Sequence, residues 1–456
     1  MSESDDAGFR VAGCHGTIAP QQDEAFYDDR SDASDDENKG RLNFPSRLYG
    51  RDKELDALRR IYDGLAQSSS DAEYGKSRVV LLGGYSGVGK SRLVSEFIAQ
   101  ASARRCSPGN EKAVLSAYAK FTERSSEPFS AFTQLFGHLA DELMASEELH
   151  SKVMAKVDQS ELIGSDDDAQ GRLVLTSTFP SLSPLLGGSS KSRTVGMNAI
   201  IDSTTELLHL VATNLDCPLI LFVDDWQWAD CASLQLLQSL LTSQIESVIC
   251  VCAYRSNEVP ADHSFAKVID EIKSARSRPG LVETITQIDL YSLSPDAIRH
   301  FVADSIKRDE VDEASDLAEV IYKKTMGNIF FTKQALEELV RKNVVFYDMM
   351  CFEWQYVLSK VELTDCLSDD VVTTVKSKIE CLSVTLQDML VVMSHVPFSL
   401  DVPILARLMD TADRSYTEDE LRNAQREAAE ESMLIISGCD KLYTFAHDRI
   451  RQVRCA

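Results

Sequence analysis

A glycine-rich turn between an apolar run and a helical segment constrains the fold of this chain more than any other feature. The apolar run covers residues 78–83, and a helix is predicted over 90–103. The turn matches the pattern G-x-x-x-x-G-K-[ST] with the residues Gly84, Tyr85, Ser86, Gly87, Val88, Gly89, Lys90 and Ser91. A buried strand that leads through such a turn into a helix is the setting in which this pattern binds phosphate.

The residue types in the turn suit a phosphate site. Glycines let the backbone curve so that its N–H groups point inward, and the N-terminus of the following helix adds partial positive charge. Lys90 is placed to reach the β- and γ-phosphates of ATP, which gives it a predicted catalytic role besides binding. The Ser91 hydroxyl is placed to ligate Mg²⁺. Arg92 follows directly and is included among the expected nucleotide contacts. The alternative is a glycine-rich turn with an exposed lysine.

A second apolar run, residues 219–223, ends in two carboxylates. A hard cation needs an oxygen anion at the end of a neighbouring strand, and Asp224 supplies one, directly or through water. Asp225 is then placed to orient or deprotonate an attacking water as the catalytic base. The alternative is an acidic turn after an edge strand. Trp226 and Trp228 follow the pair, and we expect both to have packing roles.

A third apolar run, residues 247–254, ends in Arg255. A guanidinium at the carboxyl end of this strand is suited to contact the γ-phosphate, which gives Arg255 a predicted catalytic or sensing role. The alternative is a surface arginine in a salt bridge.

These runs belong to an α/β pattern. Apolar runs at 113–119 and 283–290 join those above, and helical segments separate them, which predicts a parallel sheet with helices on both faces. Helical spacing over 52–65 predicts a helix before the first strand. A long, mostly helical insert is expected over 128–214, and no further strand is predicted after residue 290.

Composition divides the chain into four predicted parts. Residues 1–44 are acidic and poor in aliphatic side chains, so we expect a disordered tail. Residues 45–292 are the predicted P-loop ATPase domain. Residues 293–350 form a predicted helical lid, and 370–456 a C-terminal helical domain.

The charge of the chain narrows its expected partners. The 47 Lys and Arg against 72 Asp and Glu give a formal net charge of −25. A surface that acidic repels the backbone of nucleic acids and anionic lipid, so we expect neither as a partner. The 11 cysteines include no Cys-x-x-Cys pair, which favours reduced thiols over a metal site. No apolar run suits a signal peptide or a transmembrane helix, which predicts a cytoplasmic, intracellular protein.

Five segments resemble the signal-transduction ATPases with numerous domains (STAND), in their AAA-like branch that is related to origin-recognition complexes. The most specific is DDWQWAD at 224–230, which resembles the family's DDLQWAD. The other four are LYGRDKE at 48–54 (family hhGRxxE), AYRSNE at 253–258 (TYRDNE), KTMGNIFF at 324–331 (TGGNPFF) and YTFAHDRI at 443–450 (YRFAHDRIQ). Ile329 stands where the family has a proline.

The resemblance implies an ATP-binding signalling switch. It implies that Tyr49, Gly50 and Arg51 cover the adenine, and that His447, in a winged-helix-like C-terminal domain, contacts the β-phosphate of ADP. Many faster AAA enzymes carry Glu where this chain has Asp225, so slow hydrolysis is expected. ADP is expected to hold the protein closed, and ATP to favour an open state that associates with itself or with protein partners.

Two alternatives remain open. A DNA-associated ATPase of the origin-recognition kind shares the P-loop, but the acidic charge argues against it. The second alternative is a module that binds ATP without hydrolysing it. Measuring phosphate release separates this module from a true ATPase.

Overall fold

The computed structural model describes most of the chain between Leu42 and Phe445. The described residues are 42–67, 78–107, 110–111, 114–123, 127–164, 170–187, 195–242, 245–276, 285–357, 379, 382–396, 402–410, 416–430, 433–437 and 442–445. Most of the predicted acidic tail and the predicted nucleotide contact His447 lie outside these residues.

The centre of the molecule is a five-stranded sheet in which all neighbouring strands are parallel. Its strands are β1 (Arg78–Gly84), β4 (Ser116–Lys120), β5 (Leu219–Asp224), β6 (Val248–Tyr254) and β7 (Ile285–Leu290); a short hairpin of β2 (Cys106–Ser107) and β3 (Asn110–Glu111) precedes β4. The order across the sheet is β4-β5-β6-β1-β7. This confirms the predicted parallel sheet, and it brings the carboxyl ends of β1, β5 and β6 to one edge.

Helices cover both faces of the sheet, as predicted. Val80 and Leu82 of β1 point to one face and Val79 and Leu81 to the other, which explains why the strand is apolar without interruption. The first face packs against α1 (Asp52–Gln67) and α2 (Lys90–Arg105). The second packs against the insert and the helices that follow it: α3 (Ser130–Ala145), α4 (Glu147–Gln159), α5 (Gly171–Thr178), α6 (Ser183–Leu186), α7 (Met197–Thr213), α8 (Cys231–Thr242) and α9 (Ser264–Arg276).

Three α-helices and a β-hairpin follow β7 and make up the predicted lid region, which is called the lid from here on. They are α10 (Pro295–Ser305), α11 (Ser315–Thr325), α12 (Ile329–Arg341), β8 (Val345–Asp348) and β9 (Glu353–Tyr356). Ser294 caps α10 by accepting a hydrogen bond from the Ala297 amide at 3.2 Å, and Pro295 occupies the first helical turn. Phe301, Leu336 and other side chains from these elements share one apolar core.

The hairpin of β8 and β9 corrects the prediction that strands end at residue 290. Both strands contain aromatic residues typical of sheets, among them Phe346, Tyr347 and Trp354. The loop between them has no glycine, asparagine or proline to mark a turn, and Phe352 adopts a positive φ of 57° there. The hairpin was missed because its turn lacks the usual residues.

The segment before α1 packs against the lid. Phe44 stacks on Phe301 with ring centroids 5.8 Å apart, and Tyr49 meets the same ring edge-on at 5.5 Å. Leu42 packs against the same core. Leu42 and Phe44 fall within the predicted tail, so the chain is packed a few residues earlier than composition indicates, because two apolar side chains are enough to attach it.

The C-terminal part contains α13 (Val384–Ser394), α14 (Val402–Met409) and α15 (Glu418–Glu430), followed by β10 (Leu434–Ser437) paired antiparallel with β11 (Leu442–Phe445). These described elements share one apolar core, and the winged-helix-like character of the region stays a prediction. In the part of the chain that the structure describes, no helix is long and apolar enough to cross a membrane.

Candidate nucleotide-binding site

The glycine-rich turn forms a loop between β1 and α2 at the carboxyl edge of the sheet. Gly87 and Gly89 have φ values of 80° and 95°, which L-residues with a side chain rarely adopt. The side chain of Val88 is buried in the core beneath the loop, whereas that of Tyr85 is exposed to solvent. The backbone and Lys90 are therefore the parts of the loop placed to contact a phosphate.

Lys90 is the first residue of α2 and is buried. Its Nζ donates to the backbone carbonyls of Gly84 at 2.9 Å and Tyr85 at 3.2 Å. Burial lowers the pKa of Lys90, and the nearby carboxylates of Asp224 and Asp225 act in the opposite direction. An anionic phosphate oxygen is a stronger partner for this ammonium group than either neutral carbonyl.

The structure brings Ser91 and Asp224, the two predicted metal ligands, into direct contact. The Ser91 hydroxyl donates to Oδ2 of Asp224 at 2.6 Å, and Oδ1 of Asp224 accepts the amide of Asp225 at 2.8 Å. Hydroxyl and carboxylate oxygens are ligands that Mg²⁺ prefers, and Mg²⁺ commonly takes one or two protein ligands besides phosphates and water. The pair therefore fits a magnesium ion. Together with Lys90 these residues are called the phosphate half of the site.

Asp225 is held in a left-handed backbone conformation, with φ 58° and ψ 44°. Its Oδ1 accepts from Gln227 Nε2 at 2.7 Å and from Arg255 Nε at 3.3 Å. Its Oδ2 lies 3.1 Å from Lys120 Nζ. Both carboxylate oxygens thus have polar partners. Lys120, Asp225, Gln227 and Arg255 are called the carboxylate cluster.

Arg255 is almost completely buried, with 2% of its surface exposed, so it is not a surface arginine. Besides Asp225, its guanidinium bonds Glu258 Oε1 at 2.9 Å and lies 4.4 Å from the ring centroid of Trp228. Its backbone amide donates to Gln227 Oε1 at 3.0 Å. Gln227 therefore joins the end of β5 to the end of β6.

The two tryptophans that follow the acidic pair differ in role. Trp226 is fully buried and packs against Phe121 and Phe265 in the core, which confirms the expected packing role. Trp228 is partly buried against the same core, and its ring also lies over the guanidinium of Arg255.

Lys120 and Gln227 were missed by sequence reasoning. Lys120 is the first charged residue after the apolar run that forms β4. Ligands bind at the carboxyl ends of parallel strands, so this position could have marked Lys120 as a candidate site residue. Gln227 gave no signal of its own, since its position between two tryptophans does not show what its amide contacts.

The segment expected to cover the adenine connects the loop with the lid. Arg51 donates to the carbonyls of Val88 at 3.0 Å and Tyr291 at 2.5 Å, and burial lowers its pKa. The Tyr49 hydroxyl donates to Asp304 of α10 at 2.6 Å, and burial raises its pKa. Gly50 between them has φ 60°, a conformation that favours glycine.

Arg92, an expected nucleotide contact, has two protein partners in the structure. Its guanidinium bonds the carbonyl of Ser46 and lies 3.7 Å from Glu96. In this structure Arg92 therefore attaches the segment before α1 to α2.

The lid reaches the loop at the start of α12. Asn328 Nδ2 donates to the Ser86 carbonyl at 2.9 Å, and the Phe330 amide donates to the Gly87 carbonyl at 3.2 Å. Ile329, which replaces the family's proline, is the first residue of α12. A Cβ added to Gly89 would lie 3.8 Å from its side chain, so Ile329 also faces the loop.

Comparison with known proteins agrees with this geometry. Residues 47–251 match the AAA ATPase domain family. No curated protein matches the chain.

Three solved structures are similar in fold. A STAND protein with a tetratricopeptide repeat sensor from Pyrococcus horikoshii is 14% identical, with a TM-score of 0.45; the match covers 91% of this chain and 43% of that one, so this chain spans less than half of its length. The Walker-type ATPase of Pyrococcus abyssi is 11% identical, with a TM-score of 0.38 and 91% and 99% coverage. Cdc6p from Pyrobaculum aerophilum is 11% identical, with a TM-score of 0.39 and 91% and 95% coverage.

The family match, together with the loop between β1 and α2 and the carboxylates at the end of β5, supports an ATP-binding AAA module. Residues 47–251 of this chain are an AAA ATPase domain, a nucleotide-binding module.

Proposed function

We propose that this chain is a signalling switch that binds ATP with Mg²⁺ and hydrolyses it slowly. The observation that carries the proposal is the 2.6 Å contact of the Ser91 hydroxyl with Asp224, beside the buried ammonium group of Lys90. A hydroxyl, a carboxylate and a cation at the end of a glycine loop are the groups that a nucleoside triphosphate and its metal require.

In this proposal the phosphate half binds the nucleotide. Lys90 exchanges its carbonyl partners for oxygens of the β- and γ-phosphates. Ser91 and Asp224 hold the metal ion. Mg²⁺ bound there would neutralise charge on the phosphates.

The carboxylate cluster carries the hydrolytic step. Asp225 accepts the proton of a water molecule through Oδ2, which now lies 3.1 Å from Lys120 Nζ. Arg255 contacts the γ-phosphate after its guanidinium turns away from Asp225. Asp225 Oδ1 and Arg255 Nε lie 3.3 Å apart, so this contact must break before either residue can act. Turnover is therefore slow.

The switch depends on contacts that ATP makes and ADP does not. The γ-phosphate adds contacts to Lys90, Arg255 and the metal in the open state, whereas ADP favours a closed arrangement of loop, lid and C-terminal domain. Moving such an equilibrium from mostly closed to mostly open takes about 5.5 kcal/mol of differential binding. The open state is the one that associates with a second copy or another protein.

The nucleotide site is tested by Lys90→Ala, with Lys152→Ala as the matched control. Lys152 is an exposed lysine paired with Glu148 on α4 at 2.7 Å. A titration with fluorescent ATP should show roughly 10- to 100-fold weaker binding for Lys90→Ala, since a charge-assisted bond is lost, and wild-type binding for Lys152→Ala. Equal affinity in both variants would contradict the proposed site.

The expected lack of nucleic-acid binding stays a prediction. A titration with duplex DNA at increasing salt tests it, because phosphate contacts make affinity fall steeply with salt. Tight binding at moderate salt would favour the origin-recognition alternative over the signalling switch.

A further inference from the structure

The turn that begins α12 lies directly against the phosphate loop. Asn328 Nδ2 holds the carbonyl of Ser86, and the amide of Phe330 holds the carbonyl of Gly87. A Cβ on Gly87 would come within 2.8 Å of both Asn328 Oδ1 and Phe330 Cβ. The lid and the loop therefore touch at a point where no side chain fits between them.

These two hydrogen bonds fix the orientation of two successive peptide groups. In a trans peptide the C=O and the following N–H point in opposite directions, and the described part of the chain contains no cis peptide. Holding the Ser86 carbonyl towards the lid turns the Gly87 N–H away from the lid, and holding the Gly87 carbonyl does the same for the Val88 N–H. Successive amides that point the same way are what an anion-binding loop requires.

The side chain of Phe330 faces a different neighbour. Its backbone amide contacts the loop, whereas its ring packs against the apolar core of the C-terminal domain, which contains Leu386 and Met389. Phe330 is thus in contact with the phosphate loop, the lid and the C-terminal domain at once.

We propose that Asn328 and Phe330 orient the phosphate-binding amides of the loop, and that Phe330 transmits the occupancy of the loop to the C-terminal domain. This rests on the proposed function, because it assumes that a nucleotide phosphate occupies the loop. A phosphate that accepts from the Gly87 and Val88 amides polarises the same peptide groups and strengthens their bonds to the lid. Coupling of this kind is reciprocal. A change in the C-terminal domain that moves Phe330 therefore alters nucleotide affinity by the same factor by which nucleotide binding alters the packing equilibrium of Phe330.

The first test is Asn328→Ser, which removes the amide donor. Asn328 also caps α12 by accepting from the Phe330 amide at 3.1 Å, and serine is a good helix cap, so the helix is retained. ATP and ADP affinities should both fall about tenfold, the worth of one hydrogen bond at a tight contact. Affinities within twofold of wild type would overturn the role of Asn328.

The second test compares Phe330→Ala with Phe331→Ala. Phe331 is the matched control because it is the next residue, the same type and also partly buried. Hydrogen exchange of α13 is measured with and without ATP. At ATP concentrations that saturate each variant, the wild type and Phe331→Ala should show an ATP-dependent change in the exchange of α13, and Phe330→Ala should lose most of it.

The outcomes separate this inference from the proposed function. If the wild type does not bind ATP, the proposed function fails. If ATP binds but α13 exchange does not respond in the wild type, or responds equally in Phe330→Ala, the coupling through Phe330 is overturned. If Phe330→Ala unfolds at a lower temperature than the wild type, Phe330→Leu replaces it, because leucine keeps an apolar side chain in the core. Phe330→Leu should retain a reduced ATP-dependent change in the exchange of α13.

Discussion

The two halves of the candidate site hold their polar groups in opposite ways. In the phosphate half, Lys90 donates to two neutral carbonyls, and the Ser91 hydroxyl already lies on Asp224. In the carboxylate cluster, a cation lies against each oxygen of Asp225. Lys90 exchanges neutral partners for anionic ones when a phosphate arrives, whereas Asp225 and Arg255 must break a charge-assisted contact with each other before they act.

For the proposed function, this difference predicts that nucleotide binding and ATP hydrolysis can be changed separately by mutation. Substitutions in the phosphate half should change affinity, and substitutions in the carboxylate cluster should change turnover or stability.

Asp225→Asn should lower kcat for ATP hydrolysis by about 100-fold, because it removes the proposed general base. Asparagine tolerates the left-handed conformation at φ 58°, so the backbone is retained. ATP affinity should stay within about threefold of wild type. Phosphate-release kinetics measure kcat, and a binding titration measures ATP affinity. A large loss of affinity with unchanged kcat would place Asp225 in nucleotide binding instead of hydrolysis.

Gln227→Leu should lower the free energy of unfolding by about 1 to 3 kcal/mol. The substitution leaves the buried amide of Arg255 without its Gln227 acceptor and removes a donor from Asp225. Urea unfolding of the variant and the wild type measures the difference. If stability is unchanged, Gln227 does not hold the carboxylate cluster together.

Asp224→Asn should abolish most of the Mg²⁺ dependence of ATP binding. With Mg²⁺ present, ATP should bind about tenfold more weakly, because one hard anionic ligand is lost. When a chelator removes Mg²⁺, ATP affinity should change little. Titrations under both conditions give the comparison. A variant that keeps the full response to Mg²⁺ would remove Asp224 from the metal site.

Lys120→Ala should raise kcat by about two- to fivefold, the range expected for a partly exposed ion pair. The substitution releases Oδ2 of Asp225 from its 3.1 Å contact with Lys120 Nζ. Steady-state phosphate release measures it, with Lys152→Ala as the control. A fall in kcat would show that Lys120 assists the reaction instead of restraining Asp225.

The sequence was sufficient to predict the sheet strands and the phosphate half. The apolar runs and the glycine pattern are local signals, and Lys90, Ser91 and Asp224 lie where those signals end. The helix predicted over 52–65 appears as α1, which extends to Gln67.

The carboxylate cluster could not be derived in the same way, because it depends on the order of strands across the sheet. Lys120, Asp225 and Arg255 follow or end three neighbouring strands that are far apart in sequence. Their mutual distances are set by β4, β5 and β6 lying side by side, which periodicity does not reveal. The contact of Asn328 with Ser86 is equally non-local, since 242 residues separate the two.

The position of β1 in the sheet has a consequence for the synthesis of the protein. β1 pairs with β6 on one side and β7 on the other, and both are made long after it. A ribosome that adds about 5 to 20 residues per second needs roughly 10 to 40 s to travel from the end of β1 to the end of β7. The loop that follows β1 therefore gains its supporting neighbours late, so a nascent chain acquires ATP affinity only when its sheet is nearly complete.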